Sequence, residues 1–231
     1  MMDQGTSLQA WAVARSIFKG CTALARARRS QKIPSLEPHN CEVKCFSFGP
    51  REDVVFSEEN ILNLQKGSFA LPKFRFWIKY PFSAFQKIKT LQKFGSYLKS
   101  KEESLEYLIV LLATCLEATA VYMNHHNQCI KLLGNEKGPV CFFLKDADGP
   151  LITLTKNENA CWVTTFDTPE IEPRVKLSFD TINTGILSCL GQINPLVGSA
   201  LGNYQIAGYL PLMDKVGYCS RLTAKDLPIM I

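Results

Sequence analysis

The chain has 231 residues, 46% of them hydrophobic and 20% charged, enough apolar content for one or two ordinary cores and too much for an intrinsically disordered chain. Its nine cysteines form no regular framework, which argues against a disulfide scaffold and for reduced thiols in a cytoplasmic or peripheral-membrane setting. The formal net charge of +5 is unevenly spread: residues 1–99 hold 16 Lys and Arg against 7 Asp and Glu, and the remainder 10 against 14, so a basic N-terminal region adjoins a neutral-to-acidic one.

Residues 1–38 read as a basic amphipathic leader. Within "SLQAWAVARSIFKGCTALARARR" and its flanks, Arg15, Lys19, Arg26, Arg28, Arg29 and Lys32 face only Asp3 and Glu37. That pattern suits a transit peptide, with a mitochondrial address as its consequence, or an interfacial anchor; Arg15 and Lys19 interrupt the apolar stretch and exclude a secretory signal. The leader is expected to stand outside the fold, separated by the break "KIPSLEPHN". Residues 39–99 form a basic-aromatic extension. Here "CEVKCFSF" reads as a strand and "SEENILNLQK" as a short helix capped by Ser57. Cys41-x-x-x-Cys45 has no second pair at zinc spacing, so buried thiols are expected rather than a metal site.

The stretch Pro72–Lys99 carries seven basic residues and no acidic one. Phe85, Ile88, Leu91 and Leu98 recur at helical spacing with Lys87, Lys89, Lys93 and Lys99 between them. Phe74, Phe76, Trp77, Tyr80, Phe82 and Phe85 interleave with Lys73, Arg75 and Lys79. Such a mixture suits an anionic membrane surface, with Lys73, Arg75, Trp77, Lys79, Lys87, Lys89 and Lys93 as the docking set. It also suits a packed face for a protein partner. The same side chains can stack bases and neutralise phosphates, but no RNA-binding signature accompanies them, and nucleic acid is the least favoured partner.

From residue 100 the pattern changes. Ser100-Lys-Glu-Glu103 has the form of a capping box and opens a helix through the apolar run Tyr107–Met123. Glu117 near its middle argues for a buried core helix over a membrane span, with Glu117 on the exposed edge or, alternatively, lining a pocket. "HHNQC" reads as a helix end better than as a metal site. The runs "CIKLL", "VCFFLK", "LITLT", "CWVTTF" and "RVKLSF", separated by turn-forming stretches, predict an antiparallel meander. The closing part, Phe179–Val216, has no charged residue between Asp180 and Asp214. Asp180 is expected to cap a helix to about Leu190; Asn194-Pro195 opens a second short helix ended by Gly202; "YQIAG" returns as a strand; and Pro211 opens a last helix.

Helix, meander, two short helices joined at Asn-Pro, strand and last helix is an order similar to that of the sterol carrier protein family. The resemblance covers about Ser100 to Leu222 and is carried by Gly191-Gln-Ile-Asn194-Pro195 and Ile206-Ala-Gly208. It implies an α+β fold over residues 100–231, an antiparallel sheet of about five or six strands covered by helices, with a basic helical N-terminal extension. It also implies a non-catalytic carrier of a lipid, sterol or isoprenoid-like ligand, or an accessory scaffold in quinone or lipid biosynthesis. The chain departs from the family by one additional strand-like run and by residues 1–99. Ser220-Arg221-Leu222 has the form of a peroxisomal tripeptide but lies within the sequence.

Residue chemistry supports an apolar site independently, because charges in a lipid-lined wall would be desolvated without partners. Leu187, Leu190, Leu196, Val197, Leu201, Leu212, Met213 and Val216 are the candidate ligand-binding walls; the alternative is that they fill a sealed core of a structural interaction module. The three histidines, with no nucleophile motif and no phosphate-cradling or dinucleotide loop, nominate no catalytic residue, cofactor or metal.

Overall fold

The computed structural model describes residues 7–28, 36–42, 44–49, 52–65, 72–73, 78–193 and 195–227. The chain divides into two compact units, Met1–Lys101 with Asp226–Ile231, and Glu102–Lys225. Both mix helix and sheet.

In the N-terminal unit, helix α1 (Leu8–Ala27) starts at Ser7, whose hydroxyl accepts from the Ala10 amide at 3.1 Å. Ala10, Ala12, Ala14 and Ala23 are small enough to bring the helix backbone close to its neighbours, and Trp11, Val13, Ile17 and Leu24 are buried between them. The Trp11 ring stacks on Phe46 with centroids 6.1 Å apart. The leader expectation therefore needs correcting for α1: its apolar face is a wall of this unit's core, packed against α2 (Glu58–Gln65) and α3 (Pro81–Ser100).

The three-stranded sheet is antiparallel, in the order β1 (Pro38–Glu42), β2 (Cys45–Phe48), β3 (Val55–Ser57). "CEVKCFSF", expected as one strand, turns back on itself: Lys44 adopts φ 57° and Glu42 pairs with Cys45. A left-handed lysine leaves no compositional mark, unlike the glycine usual at such a turn. Ser57 does cap α2, accepting from the Asn60 amide at 3.3 Å. In α3 the buried face is Ala84, Lys87, Leu91, Phe94 and Tyr97. This is rotated from the expected stripe, and Phe85 points outward.

The second unit is organised around α4 (Leu105–His125), the one helix among the described residues long and apolar enough to cross a membrane; most of it is buried inside this unit. Its cap is Ser104, accepting from the Tyr107 amide at 3.1 Å, and not Ser100, which closes α3 by donating to the Tyr97 carbonyl. The run "CIKLL" is not a strand but part of α5 (Asn127–Leu133), with Cys129 and Leu133 buried four residues apart. A five-residue run with four apolar positions satisfies either period, and here the chain enters it through the His126 cap, accepting from the Gln128 amide, as a helix.

Five strands remain: β4 (Val140–Leu144), β5 (Ile152–Lys156), β6 (Trp162–Thr165), β7 (Val175–Phe179) and β8 (Tyr204–Gly208), in the order β6-β5-β4-β7-β8. β4 to β6 form the expected meander. β7 does not continue it; residues 166–174 cross to the far side of β4, which β7 meets in parallel, Val140 opposite Val175. β8 then pairs antiparallel with β7, and helices α6 (Ile182–Cys189), α7 (Pro195–Ala200) and α8 (Leu210–Asp226) complete the unit. The Asp180 cap is also corrected: Thr181 accepts from the Thr184 amide at 3.1 Å, while Asp180 pairs with Lys145 at 2.7 Å.

Candidate functional sites

The uncharged closing segment of the second unit becomes α6, α7, β8 and the start of α8. Gly185 sets α6 directly on α4: a Cβ there would lie 2.7 Å from Leu108 Cδ1. Gly198 does the same for α7, where a Cβ would lie 2.6 Å from Ile193 Cγ2 and 2.8 Å from Tyr204 Cε1. Gly208 ends β8 at φ 98° with the Arg174 carbonyl 2.2 Å from any added Cβ, so only glycine fits there.

Of the eight candidate wall residues, Leu212 and Val216 are buried on α8, and Leu187, Leu190 and Met213 are half-buried. Val197 and Leu201 face outward, 54% and 72% exposed. The Leu196 side chain lies outside the described residues. Sequence reasoning passed over two more outward groups, Tyr209 and Leu210; their signal was continuity with the uncharged stretch. The segment thus presents an apolar series graded from core to surface, uncharged from Thr181 to Met213, with Asp214 and Lys215 set between Met213 and Val216.

A polar frame fixes the elements around it. On α4, Glu117 is buried and accepts from the Thr164 hydroxyl of β6. It is an internal hydrogen-bond acceptor, not the exposed edge that sequence favoured. Two turns on, the Asn124 side chain accepts from the Trp162 amide and donates to the Trp162 carbonyl, both at 2.8 Å. Glu136 accepts from Lys215 at 2.8 Å and from Arg174 at 3.1 Å. Those two cations, Lys215 foremost, hold its carboxyl below the ordinary range. The Arg174 guanidinium also donates to the Lys137 carbonyl at 3.0 Å and lies 4.5 Å over the Tyr209 ring. These contacts tie α8 to the ends where β4 and β7 begin.

Four thiols of this unit, Cys129, Cys141, Cys189 and Cys219, are held toward their protonated form. Cys115 donates to the Cys189 carbonyl at 4.0 Å, and the Cys189 thiol is pushed well up by its Cys115 neighbour and by burial. Burial raises Cys129, Cys141 and Cys219 as well. A thiol kept protonated at neutral pH is a poor nucleophile and a poor metal ligand. Among the described residues no three His, Cys, Asp or Glu side chains gather closely enough to hold a metal ion.

The candidate docking residues lie in the N-terminal unit. Lys73 is exposed and pairs with Glu42 at 2.9 Å, which raises its pKa, while Lys79, Lys89 and Lys93 are exposed. Lys87 is not on that surface: it is 3% exposed and its ammonium is paired with the fully buried Asp53. Arg75 and Trp77 lie outside the described residues. No family model and no curated protein sequence matches this chain.

Proposed function

We propose that the unit Glu102–Lys225 binds, without catalysis, a lipid or isoprenoid-like hydrophobic molecule and presents or transfers it at a membrane surface. The observation that carries the reading is the graded apolar series of the closing segment, from buried Leu212 and Val216, through half-buried Leu187, Leu190 and Met213, to exposed Val197 and Leu201. A sealed core would not need apolar side chains to continue outward at Val197 and Leu201, within the stretch Thr181–Met213 that holds no charge. Each methylene removed from water contributes about 0.8 kcal/mol, so a dozen buried methylenes give useful affinity. The sterol-carrier resemblance supports the same reading, since reassigning "CIKLL" to α5 leaves five strands in this unit, the number usual in that family.

The close seating of Gly185 on Leu108 and of Gly198 on Tyr204 favours a second reading, a sealed core whose outward residues meet a protein. Native mass spectrometry of gently purified protein, with solvent extraction of the same sample, separates the two. The carrier reading expects a co-purifying lipid. It further expects Leu187→Glu or Met213→Glu to weaken fluorescent fatty-acid or sterol binding at least tenfold, with Lys225→Glu neutral. Protein that is always empty, with equal affinities in all three folded variants, leaves the sealed module.

A further inference from the structure

The start of α3 and the turn before it carry three outward apolar side chains: Phe82 and Phe85, part of the basic-aromatic mixture read from sequence, and Ile78, which that reading passed over. Ile78, Phe82 and Phe85 are 67%, 86% and 59% exposed. Phe82 and Phe85 lie three residues apart on one face of α3, and Ile78 precedes Phe82 by four, next to exposed Lys79. Continuing along the same face by steps of four come Lys89 and Lys93, both exposed. From Lys73 to Lys101 the sequence has no acidic residue. The helix therefore has an aromatic-aliphatic end and a cationic flank, roughly 6 Å of axial rise separating Phe85 from Lys89.

We propose that this end of α3 is a membrane-insertion tip, with Ile78, Phe82 and Phe85 entering the acyl boundary of an anionic bilayer, Lys89 and Lys93 resting on its headgroups, and Lys79, beside Ile78, reaching back to them along its own methylene stem. Charge complementarity selects the occupant. A second copy of this face would bring Lys89 and Lys93 against their own kind and be repelled. Nucleic acid would match the lysines, but Ile78 has no π face on which a base can stack. A bilayer supplies anionic phosphates and, 5–10 Å beneath them, an apolar layer, and the offset of phenylalanines from lysines along α3 matches that depth. The burial of Lys87 supports the assignment from the other side: the one lysine of α3 on the inward face is neutralised by Asp53, whereas Lys89 and Lys93 have been left to solvent. The tip deepens the reading of a protein that works at a membrane, but it belongs to the N-terminal unit and needs no lipid carried by the other.

Full-length protein is sedimented with vesicles of phosphatidylcholine alone or with 30% phosphatidylserine, on the order of one anionic lipid in three, across a salt series. The expected result is binding to the anionic vesicles that weakens with salt, and little to the neutral ones. Lys89→Glu with Lys93→Glu should remove the salt-dependent part. Phe82→Ser with Phe85→Ser should lower partitioning roughly tenfold or more at every salt concentration, since each phenylalanine carries a large share of buried apolar area. Phe82→Ser alone, at the more exposed position, serves if the double variant fails to melt cooperatively. The proposal is overturned if anionic vesicles are ignored at low salt, or if both variants bind like the parent. It is also overturned if the phenylalanine variant changes only self-association in light scattering, or if single-stranded RNA is bound in place of vesicles. Empty protein that still binds anionic vesicles would remove the carrier reading and leave the tip standing.

Discussion

Lys87 shows how far a single residue can depart from its local text. It sits among lysines with no acid nearby in sequence, which marks it as a surface cation; its partner Asp53 is 34 residues upstream. One Asp53 oxygen is taken by the ammonium group, and the other has no hydrogen-bond partner among the described residues. A buried pair in this condition contributes little net stability, but breaking one side strands a charge in the core. Lys87→Met is therefore expected to cost about 3–5 kcal/mol. Lys87→Met combined with Asp53→Leu should recover most of that loss, since the uncompensated carboxylate goes with it. Urea unfolding midpoints of the three proteins check this, and a double variant no better than the single would show that the pair is not what the site needs. Glu117 was misread for a related reason. A buried carboxyl needs hydrogen-bond partners, and the strand that brings the Thr164 hydroxyl to Glu117 lies 47 residues away, out of sight of a local reading.

Elements were more legible than their roles. The helices at Leu8–Ala27, Pro81–Ser100 and Leu105–His125 were legible from their apolar patterns and Glu58–Gln65 from its Ser57 cap, whereas β4 through β7 were legible as short apolar runs between turns. What an amphipathic helix faces is not written in its period. The same apolar stripe in α1 serves a membrane interface or a protein core, and only Phe46 and its neighbours, brought in by the β1–β2 hairpin, decide between them. Trp11→Ala is accordingly expected to destabilise the N-terminal unit by about 3–5 kcal/mol through lost burial and a residual cavity. Thermal or denaturant unfolding of that variant checks it; an unchanged midpoint would return α1 to the role of a detachable leader. The rotated face of α3 has a similar cause, because the periodic set Phe85, Ile88, Leu91 and Leu98 competes with Ala84, Leu91, Phe94 and Tyr97 over the same turns. The pairing of Lys87 with Asp53 is what makes the second face compatible with a lysine in its middle.

At the scale of the molecule, pairing is what the sequence conceals. β7 follows β6 in the chain but joins β4, and nothing in "RVKLSF" distinguishes a fourth meander strand from a parallel crossover partner. The graded apolar segment, in contrast, was visible beforehand, since a run without charge survives any choice of topology. Its division into core and surface was not, because it depends on how Gly185 and Gly198 seat α6 and α7. The crossover also leaves β6 at the outer margin of the five-stranded sheet, where an extended backbone invites another chain to add itself. There Asn124 behaves as a one-residue counterfeit strand: its amide occupies both the N–H and the carbonyl of Trp162 that an incoming segment would need. At Trp162 the margin is covered by a side chain borrowed from a helix, a guard against edge-to-edge association that lies far from any site of action. Asn124→Ala should leave ligand and vesicle binding intact while light scattering and thioflavin fluorescence rise over days at high concentration. A variant that stays monodisperse would mean that β6 is kept from polymerising by something other than this amide.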